Sequence, residues 1–176
     1  MKKIVSGVTV EVVSGDIAGQ EDIDAVVNAA NAQLRTGGGV AGALHRAAGP
    51  GLERECRPLA PIKPGEAVIT SAHNLPNRHV IHCLGPVYGK DKPEDKLLAD
   101  CYRKALKLAE DNRLSSVAFP AISTGIFGYP ADEATFVTFE VLKEVIPGLD
   151  SVRLIRFVLF GDSFTNIYHN YLDKLD

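Results

Sequence analysis

The sequence holds little that would tie it to a polyanion, a membrane or a metal. Of its 176 residues, 19 are Lys or Arg and 22 are Asp or Glu, a formal net charge of -3. No overall electrostatic excess therefore exists to draw it to nucleic acid or an anionic membrane. No apolar run is long enough to span a bilayer. The start, Met1-Lys2-Lys3-Ile4-Val5, is basic and then apolar, but Ser6 and Gly7 interrupt it well short of a signal-peptide core. The 3 cysteines, Cys56, Cys83 and Cys101, are odd in number and lack CxxC spacing, so neither a disulfide framework nor a zinc site is expected. Reduced thiols in a cytoplasmic protein are the expectation. No metal or cofactor is called for. No internal repeat or low-complexity linker divides the chain. With 45% hydrophobic content, residues 1–176 are expected to fold as one domain around one core, as a monomer.

What is present is an alternation of β and α patterns. Val8, Val10 and Val12 read as a half-exposed strand, Ala25-Val26-Val27 as a short buried one, and Ala67–Thr70 and His79–Leu84 as two more. From Glu94 to Asn112 the apolar positions Leu97, Leu98, Cys101, Ala105, Leu108 and Ala109 recur at helical spacing. Val117–Phe119 follows as a buried strand, Pro130–Ile146 as an amphipathic helix with Pro in its first turn, and Val152–Phe160 as a long strand. Asp162 or Ser163 is placed to cap a last helix. The segment from Tyr88 to Pro93 reads as the loosest surface loop. The alternation predicts an α/β domain with helices on both faces of the sheet.

In such sheets a ligand lies beyond the carboxyl ends of the parallel strands. Four strand exits carry unusual residues: Gly15-Asp16-Ile17, Asn28 to Gly42, Ser123 to Gly128, and Phe160-Gly161-Asp162. Gly37, Gly39 and Gly42 match GxGxxG, yet Ala29 through Thr36 separate them from the preceding strand, and the acids that follow, Glu53 and Glu55, fall in a helical pattern. Both facts argue against a dinucleotide-binding Rossmann unit, and no Gly-Lys-Ser/Thr follows to make a nucleotide-triphosphate loop. What survives is the shared physics: glycines free backbone N–H groups, a helix N-terminus aims them, and phosphate fits. Ser123-Thr124-Gly125-Ile126-Phe127-Gly128 offers a second such loop. Two loops of this kind could clamp a diphosphate from opposite sides.

Gly15-Asp16-Ile17, Val27-Asn28-Ala29-Ala30-Asn31, Gly37-Gly38-Gly39-Val40, Ala48-Gly49-Pro50, Ile81-His82-Cys83-Leu84-Gly85-Pro86 and Pro120 to Pro130 together resemble the macrodomain family, in order and in spacing. The resemblance covers nearly the whole chain. It implies a three-layer α/β/α sandwich with a mixed, mostly parallel central sheet and a cleft for ADP-ribose, free or carried on a small molecule or protein. Carried over residue by residue, Asp16 accepts a hydrogen bond from the adenine amino group, with Ile17 beside it, and Phe160 packs on the base. Gly37, Gly38, Gly39, Val40 and Ala41 form one diphosphate loop. Ser123, Thr124, Gly125, Ile126 and Phe127 form the other, with Phe127 covering the distal ribose. Asn31 bonds the distal-ribose hydroxyls and is the expected catalytic residue, while Asn28 is expected to tie the loop backbone together.

The closest resemblance is to the MacroD-type hydrolases, where the residue after Gly-Gly-Gly-Val is an aspartate that positions or activates water. Here it is Ala41. The resemblance implies hydrolysis of ADP-ribosyl esters, either O-acetyl-ADP-ribose or ADP-ribosylated acidic side chains. Ala41 favours a slower enzyme or, alternatively, a non-catalytic reader of ADP-ribose. His45 and His82 are read as structural; His73, His79 and His169 show no partner in the sequence, and Asp132 and Glu133 are read as a solvated helix start.

Overall fold

The computed structural model describes residues 1–176. Seven strands, β1 (Lys2–Val5), β2 (Val8–Ser14), β3 (Ala25–Ala29), β4 (Ala67–Ser71), β5 (His79–Cys83), β6 (Ser116–Phe119) and β7 (Leu154–Leu159), form one sheet. Their spatial order is β1-β2-β7-β6-β3-β5-β4. The five inner strands run parallel, and the two edge strands, β1 and β4, are antiparallel to their neighbours. Five helices complete the fold: α1 (Gly39–Ala48), α2 (Pro50–Cys56), α3 (Glu94–Asp111), α4 (Ala131–Val145) and α5 (Asp162–Asp173).

Period-two alternation along the inner strands divides the core. Ala25, Val27, Ile81, Val117, Phe119 and Phe157 point to one face and pack with Leu98, Tyr102, Leu142 and Leu172 from α3, α4 and α5. Val26, Val80, Ala118 and Val158 point to the other and meet Leu44, Ala48, Leu52 and Cys56 from α1 and α2. Strands apolar on both faces are what a sheet covered by helices on both sides requires. The architecture is therefore the expected three-layer α/β/α sandwich.

The Ser6-Gly7 interruption is a two-residue hairpin turn, with φ of 48° and 79°, that pairs β1 with β2; two positive φ angles match the twist of the flanking strands. Several local expectations need correction. In α3 the buried stripe is rotated to include Tyr102 and Leu106, while Leu97 and Leu108 are half-buried. Pro130 precedes α4 as its cap residue and does not sit in its first turn. Neither Asp162 nor Ser163 caps α5: Gly161, at φ 85°, occupies that place, and Asp162 is already helical. The segment after Tyr88 is tied down, since Asp91 accepts from Val87 N–H at 2.8 Å and Glu94 from Gly89 N–H at 3.1 Å. Its local carboxylates supply the turn chemistry that its Gly, Lys and Pro content concealed.

Candidate ligand-binding cleft

Because β2, β7, β6, β3 and β5 are parallel, their carboxyl ends and the loops leaving them share one side of the sheet. A cleft of about 460 Å³ opens there. Its walls come from the 3-10 turn after β2, the long β3–α1 loop, the β6–α4 loop and the end of β7. The volume is in the range of small-molecule sites.

One wall is a backbone cradle. Gly38 caps α1, and the first helical hydrogen bond is from Gly42 N–H to Gly38 carbonyl at 3.3 Å, so the N–H groups of Gly39, Val40 and Ala41 have no partner within the chain. They add to the positive end of the helix dipole. Gly42 is required for steric reasons, because a methyl group there would collide with the Gly37 carbonyl oxygen. The opposite wall is built the same way. Tyr129 N–H bonds the Ser123 carbonyl at 2.9 Å and Gly128 N–H bonds that of Gly125 at 3.0 Å, folding the loop on itself and leaving the N–H groups of Thr124 to Phe127 unpaired. The chain enters this loop through Ser123 at φ 67°. It is braced from behind by Tyr88, whose N–H donates to the Phe127 carbonyl at 2.8 Å and whose ring lies 4.9 Å from that of Tyr129.

At one end Ile17, Val158, Phe160 and Phe164 make an apolar slot, with Phe160 72% exposed at its mouth. An exposed ring of this kind offers a π-face to a flat heterocycle. At the other end stands Asn31, whose Nδ2 donates to the Arg35 carbonyl at 2.9 Å and whose Oδ1 accepts from Arg35 N–H at 3.0 Å. These two bonds fix the orientation of the amide and leave one N–H and one lone pair free. No residue lining the cleft carries an ionisable side chain.

Residues 27–138 match the Macro domain family. The chain belongs to that family. A curated relative from Klebsiella pneumoniae (strain 342), an O-acetyl-ADP-ribose deacetylase, is 44% identical over 167 residues, which covers 92% of this chain and 95% of the relative. The solved Oceanobacillus iheyensis macrodomain with ADP superposes with a TM-score of 0.94 at 39% identity, covering 99% of this chain and 95% of that one. The Trypanosoma brucei macrodomain in complex with ADP-ribose superposes at 0.81 with 36% identity, covering 92% of this chain and 68% of the other.

This macrodomain brings Ile17, Asn31, Gly37 to Ala41, Ser123 to Phe127 and Phe160 together around the cleft. Two expected residues lie outside the lining. Asp16 sits on the rim and caps the Ile17–Gly19 turn, its Oδ1 accepting from Ala18 N–H at 2.9 Å. Asn28 is buried beneath the loop, and its Nδ2 donates to His82 Nδ1 at 3.1 Å. The tie across the loop backbone, expected of Asn28, is made by Asn31 instead, because only Asn31 stands where the chain has left the sheet and turns.

His82 is structural, as expected. Burial holds its pKa down to about 3, helped by the neighbouring His45. With Asn28 donating to Nδ1, the ring proton sits on Nε2 and is donated to Thr70 Oγ1 at 3.0 Å, and Thr70 passes its own proton to the Ser71 carbonyl. His45 is also buried and lowered by desolvation. Four residues read as solvated or solitary have partners: His73 meets Glu55 at 2.8 Å, His79 meets the Thr70 carbonyl at 3.1 Å, Glu133 accepts from Tyr88 at 3.2 Å, and Asp132 accepts from Tyr171 at 3.4 Å.

Nine further residues line the cleft beyond the expected set, among them Gly85, Pro120, Val158 and Phe164. Gly85 had a signal, since it follows a buried strand and stands just before a proline. Phe164 had none, because only the docking angle of α5 turns it toward the cleft. No helix is long and apolar enough to cross a membrane, and no cluster of three or more His, Cys, Asp or Glu side chains is placed to hold a metal ion.

Proposed function

We propose that the cleft binds ADP-ribose, with the chain acting as one macrodomain, and that it hydrolyses ADP-ribosyl esters slowly. The observation that carries the binding is the pair of facing backbone cradles, Gly39 to Ala41 and Thr124 to Phe127, whose N–H groups have no partner in the chain. Unpaired amides at a helix start suit a diphosphate, and two sets let its two phosphates be held from both sides. The apolar slot of Ile17, Val158 and Phe160 then takes the base, with the free Oδ2 of Asp16 at its edge as acceptor for an amino group. Asn31 meets the distal ribose with its spare donor and acceptor. The ligand-bound neighbours and the deacetylase relative support this reading.

For an O-acyl ligand, water adds its oxygen to the acyl carbon, the acyl–oxygen bond breaks, and the ribose oxygen takes up a proton. No lining side chain can accept the water's proton, so the chain supplies orientation through Asn31 and leaves proton transfer to the ligand's own phosphate or to solvent. General-base help, commonly worth about a hundred- to ten-thousand-fold, is missing. A second reading, a non-catalytic reader of ADP-ribose on a partner, is favoured by one observation: the buried residue at the start of α1 is Ala41.

Calorimetry with ADP-ribose tests the binding, and absence of heat at millimolar ligand would overturn it. Incubation with O-acetyl-ADP-ribose and with a peptide ADP-ribosylated on glutamate separates enzyme from reader. Release of ADP-ribose in excess of protein supports the enzyme; stoichiometric capture alone supports the reader.

A further inference from the structure

Within β7, two residues before Val158 of the apolar slot, a largely buried guanidinium is saturated by the chain itself. Arg156 on β7 stands opposite Glu11 on β2 in the sheet register. Its Nε and Nη2 donate to Glu11 Oε1 at 3.0 and 2.9 Å, and Nη1 and Nη2 donate to the two oxygens of Asp22, each at 2.7 Å. The remaining N–H, on Nη1, donates to Gln20 Oε1 at 2.9 Å. All five donors are used, so Arg156 has none left for a phosphate.

That last bond decides which way the Gln20 amide faces. A flipped amide would set its NH2 against the guanidinium donors, so Oε1 faces Arg156 and Nε2 faces the other way, donating to the Asp16 carbonyl at 2.8 Å. Asn77 holds the Gln20 main chain, its Nδ2 donating to the Gln20 carbonyl at 2.7 Å. Gly19 N–H meets the same Asp16 carbonyl at 3.0 Å, so both of its lone pairs are engaged and the peptide after Asp16 cannot swing. The Asp16 carboxylate is pinned by Oδ1 to Ala18 N–H, which leaves Oδ2 without a partner in the chain, one residue from Ile17 of the slot.

We propose that Gln20, oriented by Arg156, is a positioning residue that sets the Asp16 carboxylate to select a base bearing an amino group. The inference rests on the reading of the cleft as an ADP-ribose site. Gln20 touches no ligand; it acts only through Asp16.

The test is calorimetry on the full chain with ADP-ribose and with the same dinucleotide carrying hypoxanthine, in which an oxygen replaces the amino group. Gln20→Leu should weaken ADP-ribose about fivefold, the loss of one net hydrogen bond, and leave the hypoxanthine ligand within about twofold. In an Asp16→Ala background, Gln20→Leu should cost nothing further, which is the mark of two residues acting as one unit. Arg156→Lys, unable to make the forked set of bonds, should reproduce the Gln20→Leu pattern. Thermal unfolding of each variant shows that the fold is kept. Equal weakening of both ligands, or additive losses in the double variant, overturns the proposal. If the unmodified chain binds neither ligand, it is the functional reading that falls.

Discussion

The Ser123 hydroxyl rests directly on the Cα of Gly85, so that a methyl group at Gly85 would collide with Oγ and lie 2.6 Å from Ile122 Cγ2. This contact seats the second cradle on the end of β5. Gly85→Ala should push the Ser123 loop outward, weakening ADP-ribose at least about tenfold while costing about 1–3 kcal/mol of stability in overpacking. Calorimetry and denaturant unfolding on the same sample check both, and unchanged affinity would show that the loop does not grip the ligand.

Gly42 does the same for the first cradle, because its α-carbon faces the Gly37 carbonyl with no room for a side chain. Gly42→Ala should reduce ADP-ribose affinity by at least about tenfold. Gly148→Ala, remote from the cleft and where a methyl group meets open space, serves as the control and should leave binding unchanged.

Ala41→Asp places a carboxylate in the first turn of α1, where the helix dipole favours it. Turnover of O-acetyl-ADP-ribose should rise about tenfold or more, since a general base enters a cleft that has none. A fall, or no change, would show that water is positioned from another direction.

Stability should fall with acidity before any carboxylate titrates. Burial lowers His82 to about 3 in the folded chain, against an ordinary value of 6.5 when unfolded. Below the unfolded value the unfolded state binds the proton and the folded state does not. The contribution is therefore complete above about pH 6.5 and is lost, at up to about 1.4 kcal/mol per pH unit, as pH falls toward about 3. His45, lowered by desolvation, adds in the same direction. Urea unfolding at pH 7 and pH 5 should differ by about 2 kcal/mol. Equal stability at the two values would show that His82 is already charged in the fold.

Cys56, Cys83 and Cys101 are all buried, and burial pushes the Cys56 thiol up to about 11. None should react with an aromatic disulfide reagent in the folded protein at pH 8, and all three should react in denaturant. Fast labelling under native conditions would reveal opening of the α2 or α3 layer.

What the amino-acid sequence determined by itself was the pattern that local physics writes. Strand runs such as Val26-Val27 and Val117–Phe119, the helical period of α3 and the glycines before α1 follow from side-chain period and backbone freedom, and each was legible; the exact buried stripe of α3 was not. The cleft loops were legible for the same reason, since Gly37 to Gly42 and Ser123 to Gly128 are unlike anything a plain connection needs. What only the tertiary structure decided depends on which strands become neighbours. Placing β7 between β2 and β6 sets Arg156 against Glu11 and, through Gln20, against Asp16. Placing β5 beside β3 gives Asn28 its partner in His82 and takes it out of the loop. Arg156 and Glu11 lie 145 residues apart, and Asn28 and His82 lie 54 apart; no local propensity encodes such pairings, and the burial of both sheet faces does.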